Sequence, residues 1–121
     1  MLTQAQAERL AADWVRAFNR HDLEAILAHY ADDAELTSPF VVQLLNDPHG
    51  TLKGKAQLRA YFSLALSLFP DLTFTVLRVF PGVSSLVVYY RGVDDVLAAE
   101  VMLLNPQGQV SRGYCHYYAG E

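Results

Sequence analysis

The sequence has one cysteine, Cys115, and nowhere a run of like charge. A lone cysteine excludes an internal disulfide and a cysteine-based metal cluster, and leaves Cys115 to be read as a small buried hydrophobe. Basic residues are few and scattered: nine Lys and Arg against thirteen Asp and Glu give a formal net charge of −4. The clustered positive charge that neutralises phosphates is missing, so no nucleic-acid partner is expected. No segment approaches the ~18 consecutive apolar residues of a membrane span. The opening residues Met1 to Gln6 lack the basic start and apolar stretch of a signal peptide, so a cytoplasmic location is the default expectation. His21, His29 and His49 lie in or beside loops without metal-ligand spacing. Neither a metal nor another cofactor is expected.

What is present is apolar. Hydrophobic residues make up 52% of the 121 residues and charged residues 18%, slightly richer than an average soluble domain. The length suits one domain, spanning residues 1–121. A chain this short has much surface for its volume. Part of the apolar surplus is therefore expected in a ligand pocket or an oligomer interface.

Thr3 with Gln6 forms a capping-box pattern, followed at helical spacing by Ala7, Leu10, Ala11, Trp14, Val15 and Phe18. Asn19 to Asp22 breaks this helix, and Leu23, Ile26, Leu27 and Tyr30 continue at helical spacing. Ala34 to Ser38 reads as a short strand stopped by Pro39. Residues 39–53 read as a long irregular loop, or as a helical turn at Val41–Leu45. Gly54 opens a third helix, through Leu58, Tyr61, Phe62, Ala65 and Leu66, that Pro70 stops. Four strands rich in β-branched and aromatic residues follow: Leu72–Phe80, Ser85–Val93, Val96–Leu104 and Gln109–Tyr118. The fold class is α+β: helices first, then an antiparallel meander.

Both alternating faces of Val96–Leu104 are apolar, so that strand should be covered on both sides, by the helices and by a second subunit. Glu100 interrupts it. A carboxylate among Ala98, Ala99, Val101 and Met102 is costly unless paired, protonated or wetted by a cavity. It is an acid/base group with raised proton affinity, half of an ion pair with Arg91 or Arg112, or an edge residue facing water. An Asp94-Asp95 turn of two residues places Tyr89 opposite Glu100, and one of three residues places Tyr90 there. A one-residue slip exchanges the faces. It also decides whether Gly113 and Cys115, or Tyr114 and His116, point inward. His116 is the candidate base at neutral pH, with a packed or interfacial histidine as the alternative.

The stretches Trp14 to Leu23, Tyr30-Ala31-Asp32-Asp33-Ala34, Gly54 to Phe62 and Gly108-Gln109-Val110 resemble the nuclear transport factor 2-like cone fold. Over essentially the whole chain, the polyketide-cyclase-like (SnoaL-like) branch is the most similar. The resemblance implies a curved antiparallel sheet wrapped around three helices, with a cavity lined by Trp14, Phe18, Tyr30, Phe40, Tyr61, Phe62 and Tyr90. Ser38, Tyr61 and Glu100 would supply orienting hydrogen bonds. It carries little catalytic apparatus across. The ketosteroid isomerases' aspartate base falls at Ser38, their oxyanion tyrosine at Trp14 and their protonated aspartate at or near Glu100. The cyclases' acid/base aspartate has no counterpart in Cys115 to Tyr118. Of the epoxide hydrolases' Asp–Arg–Asp set, Arg91 and Glu100 supply two members at most.

The expectation is a protein that binds a small apolar, polyketide-like or terpenoid-like molecule. If it is catalytic, Glu100 or His116 carries the proton in isomerase-, cyclase- or hydrolase-type chemistry. The alternative is a non-catalytic interaction or ligand-binding module. In either case a homodimer through the sheet is expected.

Overall fold

Four helices pack on the inner face of a strongly curved six-stranded sheet in the computed structural model, which describes residues 1–120. Helix α1 (Gln4–Asn19) starts where the capping box closes: the Thr3 hydroxyl accepts from the Gln6 N–H, and Gln6 returns its side-chain oxygen to the Thr3 N–H. Its buried stripe is Ala7, Ala11, Trp14, Val15, Ala17 and Phe18. His21 turns the chain in the left-handed region (φ 54°), and Asp22 caps α2 (Leu23–Ala28) by accepting from the Ala25 N–H.

Strand β1 (Tyr30–Thr37) begins earlier than the apolar spacing predicts, with Tyr30 in the strand rather than closing the second helix. Residues 39–53 are more regular than a loop. Ser38 caps α3 (Pro39–Leu45) by accepting from the Phe40 N–H, Pro39 sits in the first turn, and Asn46 ends the helix in a left-handed conformation. A three-residue strand β2 (Thr51–Lys53) then pairs with β1, so the helix opened at Gly54, α4 (Lys55–Leu68), is the fourth and not the third.

The meander is β3 (Thr75–Pro81), β4 (Ser85–Arg91), β5 (Leu97–Leu104) and β6 (Val110–Tyr117). The sheet order is β2-β1-β6-β5-β4-β3. All neighbours are antiparallel except β1 with β6, which corrects the expectation of a purely antiparallel sheet. The first meander strand begins at Thr75, not Leu72, because the preceding segment is held by the α1–α2 turn. Asn19 donates to the Phe74 carbonyl at 3.0 Å and accepts from its N–H at 2.7 Å, while His21 Nε2–H donates to the Leu72 carbonyl at 2.9 Å. Backbone groups satisfied this way have no need of a ladder.

The β4–β5 connection decides which side chains meet. It is neither a two- nor a three-residue turn. It runs through Gly92 to Val96, with a 3₁₀ turn at Val93–Asp95 and both Asp94 (φ 54°) and Asp95 (φ 64°) left-handed. The register therefore sets Val88 opposite Glu100 on one side and Cys115 opposite it on the other. Tyr90 pairs with Ala98, two residues along the same face. The inner face carries Leu86, Val88, Tyr90, Ala98, Glu100, Met102, Gly113 and Cys115, all buried. The outer face carries Val87, Tyr89, Leu97, Ala99 and Val101, half-buried, with Phe80, Leu103 and Tyr114 exposed.

Candidate functional site

The helices do not fill the sheet's concave face completely. A cavity remains, offering about 60 Å³ to the centres of water-sized molecules. Helix α1 contributes Trp14 and Phe18 to its wall, β1 Tyr30 and Leu36, the α3 start Ser38 and Phe40, and α4 Tyr61, Phe62 and Ala65. The sheet supplies Tyr90, Glu100, Cys115 and Tyr117, and the connecting segments supply Leu72, Phe74, Gly92 and Val93. A second, more polar depression of about 390 Å³ adjoins it, with Leu72, Gly92 and Val93 lining both.

Rings packed at edge-on, tilted and stacked geometries build the wall. Trp14 lies 5.0 Å from Phe18, 5.4 Å from Tyr90 and 5.5 Å from Phe74, centroid to centroid. Phe74 also lies 4.8 Å from Tyr90 and 4.9 Å from Phe18, so one ring on the pinned segment seals three others. Such contacts add to the hydrophobic gain of burial. Gly92 fits here because a Cβ would approach the Tyr90 ring to 3.3 Å.

Polar groups inside the cavity are few and mostly neutral. Trp14 Nε1–H donates to the Tyr30 hydroxyl at 3.1 Å, and Tyr90 donates to Glu100 Oε1 at 3.1 Å. The Cys115 sulfur lies 3.8 Å from the Tyr90 oxygen. Glu100 is only 4% exposed, and among the described residues it has no basic partner: Arg91 pairs with Asp95 and Arg112 with Glu35. The ion-pair reading of Glu100 is thereby set aside. Burial pushes its carboxyl up from 4.5 to about 7, against the opposing hydrogen bonds of Cys115 and Tyr90 and the weaker pull of His116. Burial likewise pushes Tyr30, Tyr61, Tyr90, Tyr117 and the Cys115 thiol well up, so all stay protonated near neutrality. Gly113 leaves room for the Leu36 side chain, which a Cβ there would meet at 3.1 Å, while Glu100 Oε2 at 3.6 Å would be in ordinary contact.

Trp14, Phe18, Tyr30, Ser38, Phe40, Tyr61, Phe62, Tyr90 and Glu100 thus surround one space. His116 does not. It pairs with Ala99 on the outer face and is exposed, so the pairing of His116 with Glu100 as alternative proton carriers in one cavity is corrected. The alternation of β6 is the cause: Cys115 and Tyr117 point inward, and their neighbour must point out. Sequence reasoning missed Phe74, Cys115 and Tyr117 as wall residues. The period-two pattern of β6 held the signal for the last two, but only once the β5–β6 connection and its bulge beside Leu103 and Leu104 fixed the phase.

Residues 11–93 match the SnoaL-like domain. The chain belongs to the SnoaL-like family. A SnoaL-like protein of unknown function from Burkholderia thailandensis is 42% identical, with a TM-score of 0.93 over 98% of this chain and 100% of that one. SalBIII, an epoxide hydrolase/cyclase-like enzyme with a role in pyran ring formation in the polyether salinomycin, is 17% identical, with a TM-score of 0.76 over 98% of this chain and 95% of that one. A protein of unknown function with a cystatin-like fold from Methylobium petroleophilum is 15% identical, with a TM-score of 0.77 over 99% and 80% of the two chains. The last two likenesses concern the fold alone. No curated protein matches the chain. Among the described residues, no helix of this SnoaL-like protein is long and apolar enough to cross a membrane.

Proposed function

We propose that this SnoaL-like protein binds a small, largely apolar molecule in the cavity and moves a proton on it through Glu100. The carrying observation is a single buried carboxyl group, without a basic partner, in a wall made mostly of aromatic rings. Such a group exchanges its proton near neutral pH, where general acid and base both work best. Tyr90 holds Oε1, which leaves Oε2 for the reacting atom. The Tyr30 oxygen already accepts from Trp14, so its own O–H is free to donate to a substrate oxygen. Isomerase-, cyclase- or hydrolase-type chemistry on a polyketide-like or terpenoid-like compound fits this set. The inner cavity alone, about 60 Å³, is smaller than the roughly 300–1,000 Å³ of a drug-sized site, and the reading takes the adjoining depression of about 390 Å³ as the rest of the site.

A second reading, a non-catalytic dimeric module, is favoured by the outer face. Phe80, Leu103 and Tyr114 are exposed there beside half-buried Val87 and Val101. An identical sheet related by a two-fold axis would cover this face and close the assembly. The two readings separate in one experiment. Small terpenoid and polyketide-like ketones and epoxides are incubated with wild type and with Glu100→Gln. Turnover that falls by about a hundredfold or more in the variant supports proton transfer by Glu100. Turnover equal in both overturns it. Binding without any turnover selects the second reading.

A further inference from the structure

Resting on the reading of the cavity as a ligand site, and taking the adjoining polar depression as its vestibule and route of entry, we infer from their charges and rings that the ligand is an apolar amine, bound as the ammonium ion. Nine of the seventeen wall residues are aromatic, among them Trp14, Phe74 and Tyr90 packed around the interior end of the route. Aromatic faces attract cations, most strongly in a desolvated site. Among the described residues, no Lys, Arg or His lines the cavity or the adjoining depression. The ionisable carboxyls on the route are Glu100 inside and Asp71, Asp94 and Asp95 in the vestibule, of which only Asp95 has a basic partner, Arg91. An anionic ligand meets no counter-charge at any point. A neutral ligand is tolerated but gains nothing from this field. A cation gains at every stage: steering at the vestibule, ring faces in the cavity, and finally a carboxylate that the fold leaves without a basic partner. An ammonium group at Oε2 would supply the ion pair that neither Arg91 nor Arg112 makes.

The groups facing Glu100 sharpen the consequence for pH. Tyr90 on β4, Cys115 and Tyr117 on β6, Tyr30 on β1 and Tyr61 on α4 all stay protonated, and His116 lies on the far face of the sheet. Glu100 is the inward group that titrates near neutrality. An ammonium ligand therefore binds more tightly as pH rises through about 7.

The sole tryptophan, Trp14, lies in the wall, so its fluorescence reads occupancy directly. Titrations with 2-phenylethylamine, 2-phenylethanol and phenylacetate compare one ring at three charges. The expected result is at least about tenfold tighter binding of the amine than of the alcohol at pH 8, with phenylacetate weakest. The amine's advantage should shrink by roughly tenfold or more at pH 5.5, and Glu100→Gln should bring amine and alcohol to within about threefold of each other. Equal or tighter binding of the alcohol overturns the inference while leaving the ligand site standing. So does an amine preference that survives the Gln substitution intact. Failure of all three to perturb Trp14 overturns both the inference and the cavity reading beneath it.

Discussion

The two faces of β5 are built from neighbouring residues of one strand and have opposite characters. The inner face, Ala98, Glu100 and Met102, is sealed from water and contains a carboxyl group. The outer face, Leu97, Ala99, Val101 and Leu103, is wholly apolar and yet partly open to solvent. Hydrophobicity alone would assign them the other way round. A buried charge without a partner is tolerated when a site uses it, and an exposed apolar face is tolerated when something covers it. The contrast is what the two proposals rest on, proton transfer on one side of the sheet and association on the other.

The largest test of the inner face is its ring cluster. Trp14 is 3% exposed and touches Phe18, Phe74 and Tyr90, and its indole N–H satisfies Tyr30. Trp14→Ala should cost about 3–5 kcal/mol in urea unfolding, and a loss below roughly 1 kcal/mol would show the cavity wall to be loosely packed. Next comes the pH dependence of Glu100. Its proton affinity is raised in the folded chain, so between pH 4.5 and about 7 the folded state holds a proton that the unfolded state has lost. Stability should accordingly be full below that window and fall through it by roughly 3 kcal/mol as pH rises. Glu100→Gln, which keeps an acceptor for Tyr90, should flatten that part of the profile.

These first tests concern features that were unevenly legible in the sequence. Helical spacing and the capping box placed α1 and its buried stripe well, because both are local. Glu100 stood out for the same reason, as one charge in an apolar strand. The phase of β6 was not legible. It depends on the β5–β6 connection and on the register shift beside it, where Leu103 pairs with Arg112 but Leu104 with Val110, a bulge that neither segment announces. Helix α3 was missed as a full helix because its length is short and its cap, Ser38, was read as the end of a strand. The parallel pairing of β1 with β6 is non-local and has no signature within either segment.

The outer face gives smaller effects on the fold and a sharp one on association. Val101 sits in a row with Val87 and Tyr114. If two copies meet there, Val101→Glu places like charges face to face and should weaken self-association by about 2–3 kcal/mol, read by sedimentation at micromolar concentration. An unchanged circular dichroism spectrum would confine the effect to the interface. A wild-type chain that sediments as a monomer would leave the exposed row without this explanation. The smallest change is expected at His116. Exposed and outward, it should tolerate Ala within about ±0.5 kcal/mol. Turnover lost in His116→Ala would return it to the list of proton carriers.

The central claim is that Glu100 holds its proton near neutrality inside a cavity a ligand can reach. Difference infrared spectroscopy of wild type minus Glu100→Gln, followed across pH, isolates the carboxyl stretch of this one residue. The account predicts a protonated band that disappears with a midpoint of about 7 and moves to lower pH when an amine is bound. A midpoint near the ordinary glutamate value of about 4.3, unmoved by any ligand, would contradict it.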